Sequence, residues 1–159
     1  MQLETKSLRL VLQTKDEVRA FVAQLSPYEK AQVSPVWVAR LEGSSSADPW
    51  VHGFMLRHRV SDEIVGRGGF KAPPDFDGMV EIAYGVNAEH QGKGYATEAA
   101  EALVLYAFSQ PQVRVVRAHT LPVANASGRI LQKCGFRKTG DVIDPEDGPV
   151  WRWEKCRES

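Results

Sequence analysis

The chain has 159 residues, and its twenty basic side chains balance its twenty acidic ones, with neither sign gathered into a run. This balance excludes a strongly basic face, so nucleic acid is not an expected partner. No stretch has the ~18 apolar residues of a membrane span, and the amino terminus lacks the apolar core of a signal peptide. We therefore expect one cytoplasmic domain over residues 1–159, without a membrane partner.

Cysteine and histidine usage predicts neither a disulfide framework nor a metal site. The two cysteines, Cys134 and Cys156, suit a reducing compartment. The four histidines are scattered without the spacing of metal ligands, so no metal is expected. Cys134 is not favoured as a nucleophile, because it falls on the apolar stripe of a predicted helix and no histidine is near it in sequence.

Hydrophobic spacing in the first half of the chain predicts a strand, a helix, two short helical pieces and a hairpin. These elements are assigned, in that order, to residues 6–12, to the segment after the capping box Thr14-Lys15-Asp16-Glu17, to pieces beginning at Ser26-Pro27 and Ser34-Pro35, and to strands at 50–60 and 64–71. Residues 43–49 are expected to form a loop. Glycines at 66, 68 and 69 in the second hairpin strand indicate a bulge or a close backbone approach.

The chain is organised around residues 84–108, where a strand predicted over 79–87 runs through a glycine turn into a long helix. The turn contracts to Gln91-Gly92-Lys93-Gly94-Tyr95-Ala96. Apolar residues then recur at three- and four-residue steps, which predicts a helix with an alanine-rich face. The glycines let successive N–H groups converge, and the helix adds unpaired donors and the positive end of its dipole, so an anion is the expected ligand.

Two other glycine turns bind phosphate, and this one fits neither of them. A Walker-type loop needs Ser or Thr after Gly-Lys, whereas Gly92-Lys93 is followed by Gly94. A Rossmann turn needs a third glycine at the position of Thr97. A glycine turn without a ligand remains the alternative to a phosphate site.

The last third of the chain predicts a strand, a helix and two further strands. They are assigned to residues 113–120, to the segment from about Asn125 to Cys134 with a left-handed cap at Gly135, and to residues 136–142 and 149–156. The chain then holds about seven strands and four helical regions, when the two short helical pieces are counted as one region. This set predicts an α/β (α+β) fold in which helices flank a mixed sheet.

The glycine turn reads Gln-x-x-Gly-x-Ala and resembles the acetyl-coenzyme A loop of the GNAT N-acetyltransferase superfamily. The predicted element order also resembles the GNAT fold over essentially the full chain, which implies a mixed, mostly antiparallel, seven-stranded sheet. Further segments resemble the Rim-type branch, the ribosomal-protein N-terminal (alanine/serine) acetyltransferases. They are Leu3-Glu4-Thr5 with Leu8-Arg9-Leu10, Glu81-Ile82-Ala83-Tyr84, residues 91–98, Asn125-Ala126-Ser127 and Leu131-Gln132-Lys133-Cys134-Gly135-Phe136.

The resemblance implies that acetyl-coenzyme A is the co-substrate, with its pyrophosphate on the backbone of residues 91–96 and its pantetheine arm beside residues 83–86. Lys93 is expected either to add a charge contact or to be a solvated loop lysine. Asn125 is the implied contact to the arm, although it stands one residue closer to Ser127 than in the commoner pattern, and a helix N-cap is its other role. The implied cofactor-binding residues are Tyr84, Val86, Gln91, Gly92, Lys93, Gly94, Tyr95, Ala96, Asn125 and Ser127.

Acyl transfer to an amine needs a group that takes the proton of the amine and a donor for the developing oxyanion, here expected to be a backbone N–H near Val86. Glu81 is the candidate base, because it is the one carboxylate on an otherwise apolar strand; the alternative is a structural ion pair with an arginine such as Arg117. Many relatives place a tyrosine acid four residues before the late glycine. That position is Leu131, so Ser127 or water is expected to protonate the thiolate.

The expected function is therefore direct acetyl transfer to a primary amine in a ternary complex. A coenzyme A-binding module whose chemistry has lapsed is the alternative. The acceptor is expected to be a protein N-terminal amine or a small-molecule amine, and the enzyme a monomer or a homodimer. Residues 27–47 and the loops at 72–78 and 143–149 are expected to set the identity of the acceptor.

Overall fold

The computed structural model describes residues 1–45 and 47–158, so Ser46, in the expected loop at 43–49, lies outside the described residues, as does Ser159. The described residues form eight strands and five α-helices. The strands are β1 (Gln2–Glu4), β2 (Leu8–Leu12), β3 (Phe54–His58), β4 (Ile64–Phe70), β5 (Met79–Val86), β6 (Val115–Thr120), β7 (Arg137–Asp144) and β8 (Gly148–Cys156). The helices are α1 (Lys15–Ala23), α2 (Pro27–Ala31), α3 (Pro35–Gly43), α4 (Tyr95–Ser109) and α5 (Ala126–Lys133).

The strands form one sheet with the order β1-β2-β3-β4-β5-β6-β8-β7. Neighbouring strands are antiparallel except β5 and β6, which are parallel. This mixed, mostly antiparallel sheet with its helices confirms the predicted fold class. The described sheet has one strand more than predicted, because Gln2–Glu4 is too short to show a periodicity but pairs with β2.

The sheet opens at its centre, between β5 and β6. These two strands pair only where residues 79–81 lie beside residues 115–117. Beyond that point β5 remains paired with β4 as far as Val86, and β6 remains paired with β8 as far as Thr120. The second half of β5 and the end of β6 therefore border a gap.

Backbone groups of β5 face this gap at every second residue. The carbonyl of Glu81 accepts a hydrogen bond from the N–H of Lys71, and the N–H of Asn87 donates to the carbonyl of Val65. Odd-numbered residues of β5 therefore direct their backbone groups toward β4, and even-numbered residues direct theirs the other way. The N–H groups of Tyr84 and Val86 consequently face the gap.

Helix α4 packs on the sheet through the predicted alanine-rich face. Ala99, Ala100, Leu103 and Ala107 are fully buried in the core that they form with the strands. Their small side chains let the helix approach the sheet closely, and this fixes the position of the turn that precedes the helix. In the described ranges no helix is both long and apolar enough to cross a membrane.

Helices α1 and α3 pack in a smaller cluster that contains Val18, Leu41 and Val51. The predicted capping box at the start of α1 is present, because the Thr14 side chain accepts from the N–H of Glu17 and the Glu17 carboxylate accepts from the N–H of Thr14. Serine N-caps followed by proline also begin α2 and α3, as predicted. The three helices thus start where local hydrogen bonding favours a start.

The structure corrects the start of one predicted hairpin strand and explains the glycines of the other. The strand expected at 50–60 begins only at Phe54, because Asp48 closes a turn by accepting from the N–H of Trp50 at 2.8 Å. The close backbone approach expected in β4 is confirmed, since a Cβ added at Gly66 would lie 2.1 Å from the carbonyl oxygen of Gly85. Gly66 therefore lets β4 lie against the last residues of β5, at the far end of the gap.

Candidate active site

The turn between β5 and α4 has the geometry of an anion cradle. Gly92 and Gly94 have φ of 80° and 84°, a region that disfavours side chains, and Gly94 is the N-cap of α4. The first helical N–H that finds a backbone acceptor is that of Glu98, which donates to Gly94. Within the ranges that the structure describes, the N–H groups of residues 92–97 have no acceptor. The turn and the helix N-terminus therefore offer six backbone donors that no described protein group uses.

The side chain of Gln91 shapes this turn. Its Nε2 donates to the carbonyl oxygen of Val86 at 3.0 Å, so the start of the turn is tied to the end of β5. Gln91 was predicted as a cofactor contact. Its side-chain amide donates to the end of β5, and its contact with the cofactor stays a prediction.

A cleft of about 560 Å³ runs from the turn to α5, and we call it the loop cleft. It is lined by eight of the ten predicted cofactor-binding residues: Tyr84, Val86, Gln91, Gly92, Gly94, Tyr95, Ala96 and Ser127. Lys93 and Asn125 are not among the described residues that line it. The Asn125 side chain accepts from the N–H of Gly128 at 3.0 Å, so it is the N-cap of α5.

Three polar residues of the loop cleft, Thr97, Lys133 and His90, were missed by the sequence analysis. Lys133 lies on the same face of α5 as Ser127 and Ile130, at three-residue steps that the sequence contains and that signal a shared face. His90 lies in the turn, with its Nε2 3.5 Å from an oxygen of Glu63. That contact joins positions far apart in sequence, so no local pattern indicates it.

The gap between β5 and β6 holds a second cavity of about 190 Å³, which we call the splay cavity. The two predicted catalytic residues, Glu81 and Ser127, both line it. Tyr84 and Ser127 line the loop cleft as well, so the two spaces meet at these side chains. A ligand that extends from the anion cradle through the loop cleft would thus reach Glu81.

Glu81 is held by two cross-strand partners. Its Oε2 lies 3.0 Å from Nζ of Lys71, the residue that follows β4, and 3.0 Å from Nδ1 of His119, on β6. Burial tends to lower the pKa of Lys71, but the negative charges of Glu81 and Asp147 outweigh it and raise this pKa, so Lys71 is a cation at neutral pH. Arg117, the partner expected for a structural Glu81, instead bonds to Glu154 at 2.7 Å.

His119 has defined donor and acceptor roles. The Nε of Arg152 donates to Nε2 of His119 at 3.1 Å, and a guanidinium cannot accept a hydrogen bond. Nε2 must therefore be unprotonated, and Nδ1 carries the proton that it donates to Glu81. Asp144 lies farther from the same nitrogen, at 3.7 Å. His119 thus orients the carboxylate as a neutral imidazole.

Glu81, His119 and Asp144 have ligand atoms within 4.8 Å of one another, a grouping that can hold a metal ion. The hydrogen bonds argue against that use. Nε2 of His119 already accepts from Arg152, its Nδ1 must lose a proton before it can coordinate, and the cation of Lys71 occupies one side of Glu81. The cluster fits a proton-handling role better than a metal centre.

The position of the late-helix tyrosine acid is filled by Leu131, which is buried in the wall of the splay cavity. Ser127 is the hydroxyl that lies closest to this position on α5, one helical turn earlier, and it is exposed to both cavities. Tyr84 also borders both cavities, and burial raises the pKa of its phenol. Cys134 is inert, because burial raises the pKa of its thiol to about 11.

Comparison with known sequences relates this chain to a protein family. The profile of the acetyltransferase (GNAT) domain matches residues 4–137. The uncharacterised N-acetyltransferase YjdG of Bacillus subtilis (strain 168) is 35% identical over 94 residues, which are 59% of this chain and 54% of that protein. The uncharacterised N-acetyltransferase p20 of Bacillus licheniformis is 31% identical over 58% of this chain and 52% of that protein. The chain spans about half the length of the curated relatives it matches.

Solved structures share the fold. A putative ribosomal-protein-serine acetyltransferase from Vibrio cholerae has a TM-score of 0.71 and 20% identity, over 99% of this chain and 98% of that chain. The aminoglycoside acetyltransferase AAC(6')-Ib, in complex with coenzyme A, has a TM-score of 0.65 and 21% identity, over 95% of both chains. At such identities the likeness is one of fold. The family profile, which covers most of the sequence, carries the assignment: this chain belongs to the acetyltransferase (GNAT) domain family.

Proposed function

We propose that this chain is an acetyl-coenzyme A-dependent N-acetyltransferase that transfers the acetyl group directly to a primary amine. The observation that carries the proposal is the continuity of the loop cleft with the splay cavity through Tyr84 and Ser127. One end of this continuous space offers converging N–H donors, and the other end offers a carboxylate beside a neutral imidazole. The anionic acetyl donor can therefore lie in the loop cleft and the nucleophile in the splay cavity, and the two cavities are joined.

The residues fit coenzyme A at three points. The free N–H groups of residues 92–97 match a pyrophosphate, and Lys133 adds a positive charge at the wall of the loop cleft. The N–H groups of Tyr84 and Val86 face the gap in the way that an extended arm with amide groups requires. When bound, acetyl-coenzyme A supplies the acetyl group as a thioester.

Glu81 is proposed to take the proton of the amine, directly or through water. An α-amine with a pKa of about 7.7–8.0 is neutral in on the order of a tenth of molecules at pH 7, so no strong base is needed before attack. The nitrogen becomes more acidic as it bonds to the carbonyl carbon, and a carboxylate can then accept its proton. Lys71 and His119 hold that carboxylate in one orientation.

The negative charge that develops on the acetyl oxygen needs a donor in the same gap. The backbone N–H of Val86 or Tyr84 is proposed for this role, because neither is used by β4. Ser127, at the junction of the two cavities, or a water beside it is proposed to protonate the departing thiolate. A backbone donor costs no reorganisation during the reaction, since the strand already holds it.

The acceptor is proposed to be a primary amine of a protein N-terminus or of a small molecule. Structural relatives include enzymes named for a ribosomal protein and for aminoglycosides, and the segments that resemble the Rim-type branch favour the first class. A coenzyme A-binding module without activity is the alternative function. It is favoured by one observation, the replacement of the usual acid position by Leu131.

Thiol release from acetyl-coenzyme A in the presence of a panel of amines tests the proposal. Calorimetry of coenzyme A binding is run in parallel. Binding with amine-dependent thiol release supports the enzyme, and binding without turnover on any amine supports the inactive module. Absence of binding at millimolar coenzyme A contradicts both functions, because each needs the cradle of residues 92–97.

A further inference from the structure

A third space opens beside the splay cavity, on the side of α1 and α3. It has a volume of about 350 Å³, and we call it the arginine pocket because Arg67 lines it. Lys71, Ala83 and Tyr84 line both this pocket and the splay cavity. A molecule in the arginine pocket can therefore present a group to Glu81 without entering the loop cleft.

Arg67 has no counter-ion in the part of the chain that the structure describes. No carboxylate of residues 1–45 or 47–158 lies within 4 Å of its guanidinium, and its buried Nε has no acceptor there. Its guanidinium stacks on Phe21 of α1, 3.9 Å from the ring centroid, which holds it in place without neutralising it. Burial lowers the pKa of Arg67, yet an arginine remains charged at neutral pH.

Gln13 is a second unpaired group in the same pocket. It is only 6% exposed, and its Nε2 donates to the carbonyl of His52 at 3.0 Å. This bond orients the amide so that Oε1 is the free end, and among the described residues no donor reaches it. A buried acceptor without a donor is costly unless a ligand supplies one.

The strand register places Arg67 and Glu81 on one face of the sheet. Arg67 lies opposite Gly85, and the N–H of Lys71 donates to the carbonyl of Glu81. Gly85 is four residues beyond Glu81, so the two backbone positions are separated by about 13 Å along β5, and long side chains shorten that distance. The two groups can hold opposite ends of one short molecule.

We propose that the acceptor is an amine that also carries an anionic group, which Arg67 binds while an N–H or O–H of the same molecule donates to Gln13. The inference rests on the proposed function and names its acceptor class. A planar guanidinium matches a carboxylate or a phosphate with two parallel hydrogen bonds. Polycationic amines are disfavoured, because they would bring positive charge against Arg67 and Lys71, and no carboxylate is among the described residues that line the arginine pocket.

Matched acceptors test the anionic group. Triglycine and triglycinamide share the amine and the length, about 10 Å when extended, and differ in the terminal charge. O-phosphoethanolamine and ethanolamine form the corresponding phosphate pair and separate the two kinds of anion. We expect kcat/KM of the wild-type enzyme to be at least tenfold higher for the anionic member of one pair, through a lower KM. Equal kcat/KM within both pairs overturns the inference while leaving the acetyltransferase function intact.

Substitution then assigns the preference to Arg67. Arg67→Met keeps a long side chain against Phe21 and removes the charge, so the preference for the anionic acceptor should fall to about one. Arg137→Met removes an exposed arginine on β7 and should keep the preference, which controls for net charge. A preference that survives in folded Arg67→Met, checked by its melting temperature, overturns the inference.

Measurements of acceptor binding distinguish a failure of this inference from a failure of the proposed enzymatic function. NMR titration of the coenzyme A-saturated protein with triglycine and triglycinamide needs no turnover. If thiol release is absent but triglycine binds more tightly than its amide, and Arg67→Met removes the difference, the anionic acceptor stands and the enzymatic proposal fails. The inference is wrong if the wild-type protein does not distinguish the two members of either pair. That result includes equal binding of both members and binding of neither.

Discussion

Arg152 on β8 fixes the protonation pattern of His119 on β6, because its Nε donates to Nε2 of the imidazole at 3.1 Å. The two residues are direct cross-strand partners, so the sheet itself sets the contact. Nδ1 then faces Glu81 as a donor. Arg152 thus orients the candidate base Glu81 indirectly, through its contact with His119.

The tautomer of His119 can be read directly. We expect nitrogen chemical shifts of an unprotonated Nε2 and a protonated Nδ1 at neutral pH, the tautomer that the Arg152 contact requires. Arg152→Met removes the donor and should release His119 into a mixture of tautomers, with a lower kcat and little change in affinity for coenzyme A. An unprotonated Nδ1 in the wild-type protein contradicts the assignment.

Replacement of Glu81 tests its role as the base. Glu81→Gln keeps the size of the side chain and removes its basicity, so kcat should fall about a hundredfold or more and the rising limb of the pH profile should disappear. Affinity for coenzyme A should hardly change. Glu154→Gln is the matched control, since it removes another half-buried, ion-paired carboxylate of the sheet. A structural Glu81 would instead lower the melting temperature of the variant and leave kcat per folded molecule intact.

The cradle is tested at Gly94. An added Cβ meets no protein atom within 4 Å there, so Gly94→Val acts through its φ of 84° and through the space where phosphate would lie. Affinity for coenzyme A should fall at least tenfold, about 1.4 kcal/mol, as calorimetry would measure. Gly148→Val has a comparable φ of 75° and an equally open surrounding, but lies in the β7–β8 turn, and should leave affinity unchanged. Equal losses in both variants would assign the effect to strain.

Glu98 links the start of α4 to the first strands, and this link depends on pH. Burial tends to raise the pKa of Glu98, but hydrogen bonds from the Thr5 hydroxyl and from the N–H of Ser7, at 2.8 Å, outweigh it, so the pKa lies below its ordinary value of 4.5. A lowered folded-state pKa adds stability above the ordinary pKa, and that stability is lost as the pH falls through the folded-state value.

Glu98→Gln should therefore lower the free energy of unfolding by about 1 kcal/mol at pH 7, given that the group is partly solvated. The difference from wild type should shrink as the pH falls below the ordinary value of 4.5. Urea unfolding at a series of pH values measures both. Glu101→Gln, at an exposed position of the same helix, controls for helix propensity. A difference that stays constant with pH would assign the loss to packing.

The two cysteines should differ in reactivity. Burial raises the pKa of the Cys134 thiol to about 11, so it is protonated at pH 8, whereas Cys156 is exposed at the end of β8. A thiol reagent should modify one cysteine per native chain, identified as Cys156 by peptide mapping, and two after denaturation. Rapid labelling of Cys134 in the native protein would contradict the described packing of α5.

The fold was predictable because its signals are local. Alternation gave seven strands to within a few residues, and capping boxes and Ser-Pro pairs gave the starts of α1 to α3. The strand at 50–60 was drawn too long because Asp48 bonds to the backbone of Trp50, a local competition that periodicity does not register. Gln2–Glu4 was missed because three residues carry no period.

Only the part of the candidate site that is formed by consecutive residues could be predicted from the sequence. The cradle occupies consecutive residues, whereas the surroundings of Glu81 come from four strands whose register no single-sequence pattern reveals. Lys71 and His119 reach Glu81 across strands, and Arg152 bonds to His119. Arg117, the expected partner, bonds to Glu154 because β6 lies beside β8. Glu81 itself was recognisable, since a carboxylate in an apolar strand needs a reason to be there.

Most sheets expose unpaired backbone at their two outer strands, but this one also has an inner rim, along the second half of β5. Rims of this kind attract foreign strands, which is how exposed edges seed aggregation. Here the side chains of Leu131 and Ser127 on α5 line the cavity beside this rim. A bound chain with amide groups could pair with the N–H groups of Tyr84 and Val86 on this rim, as another strand would. Such a ligand would therefore also cover the exposed inner edge of the sheet.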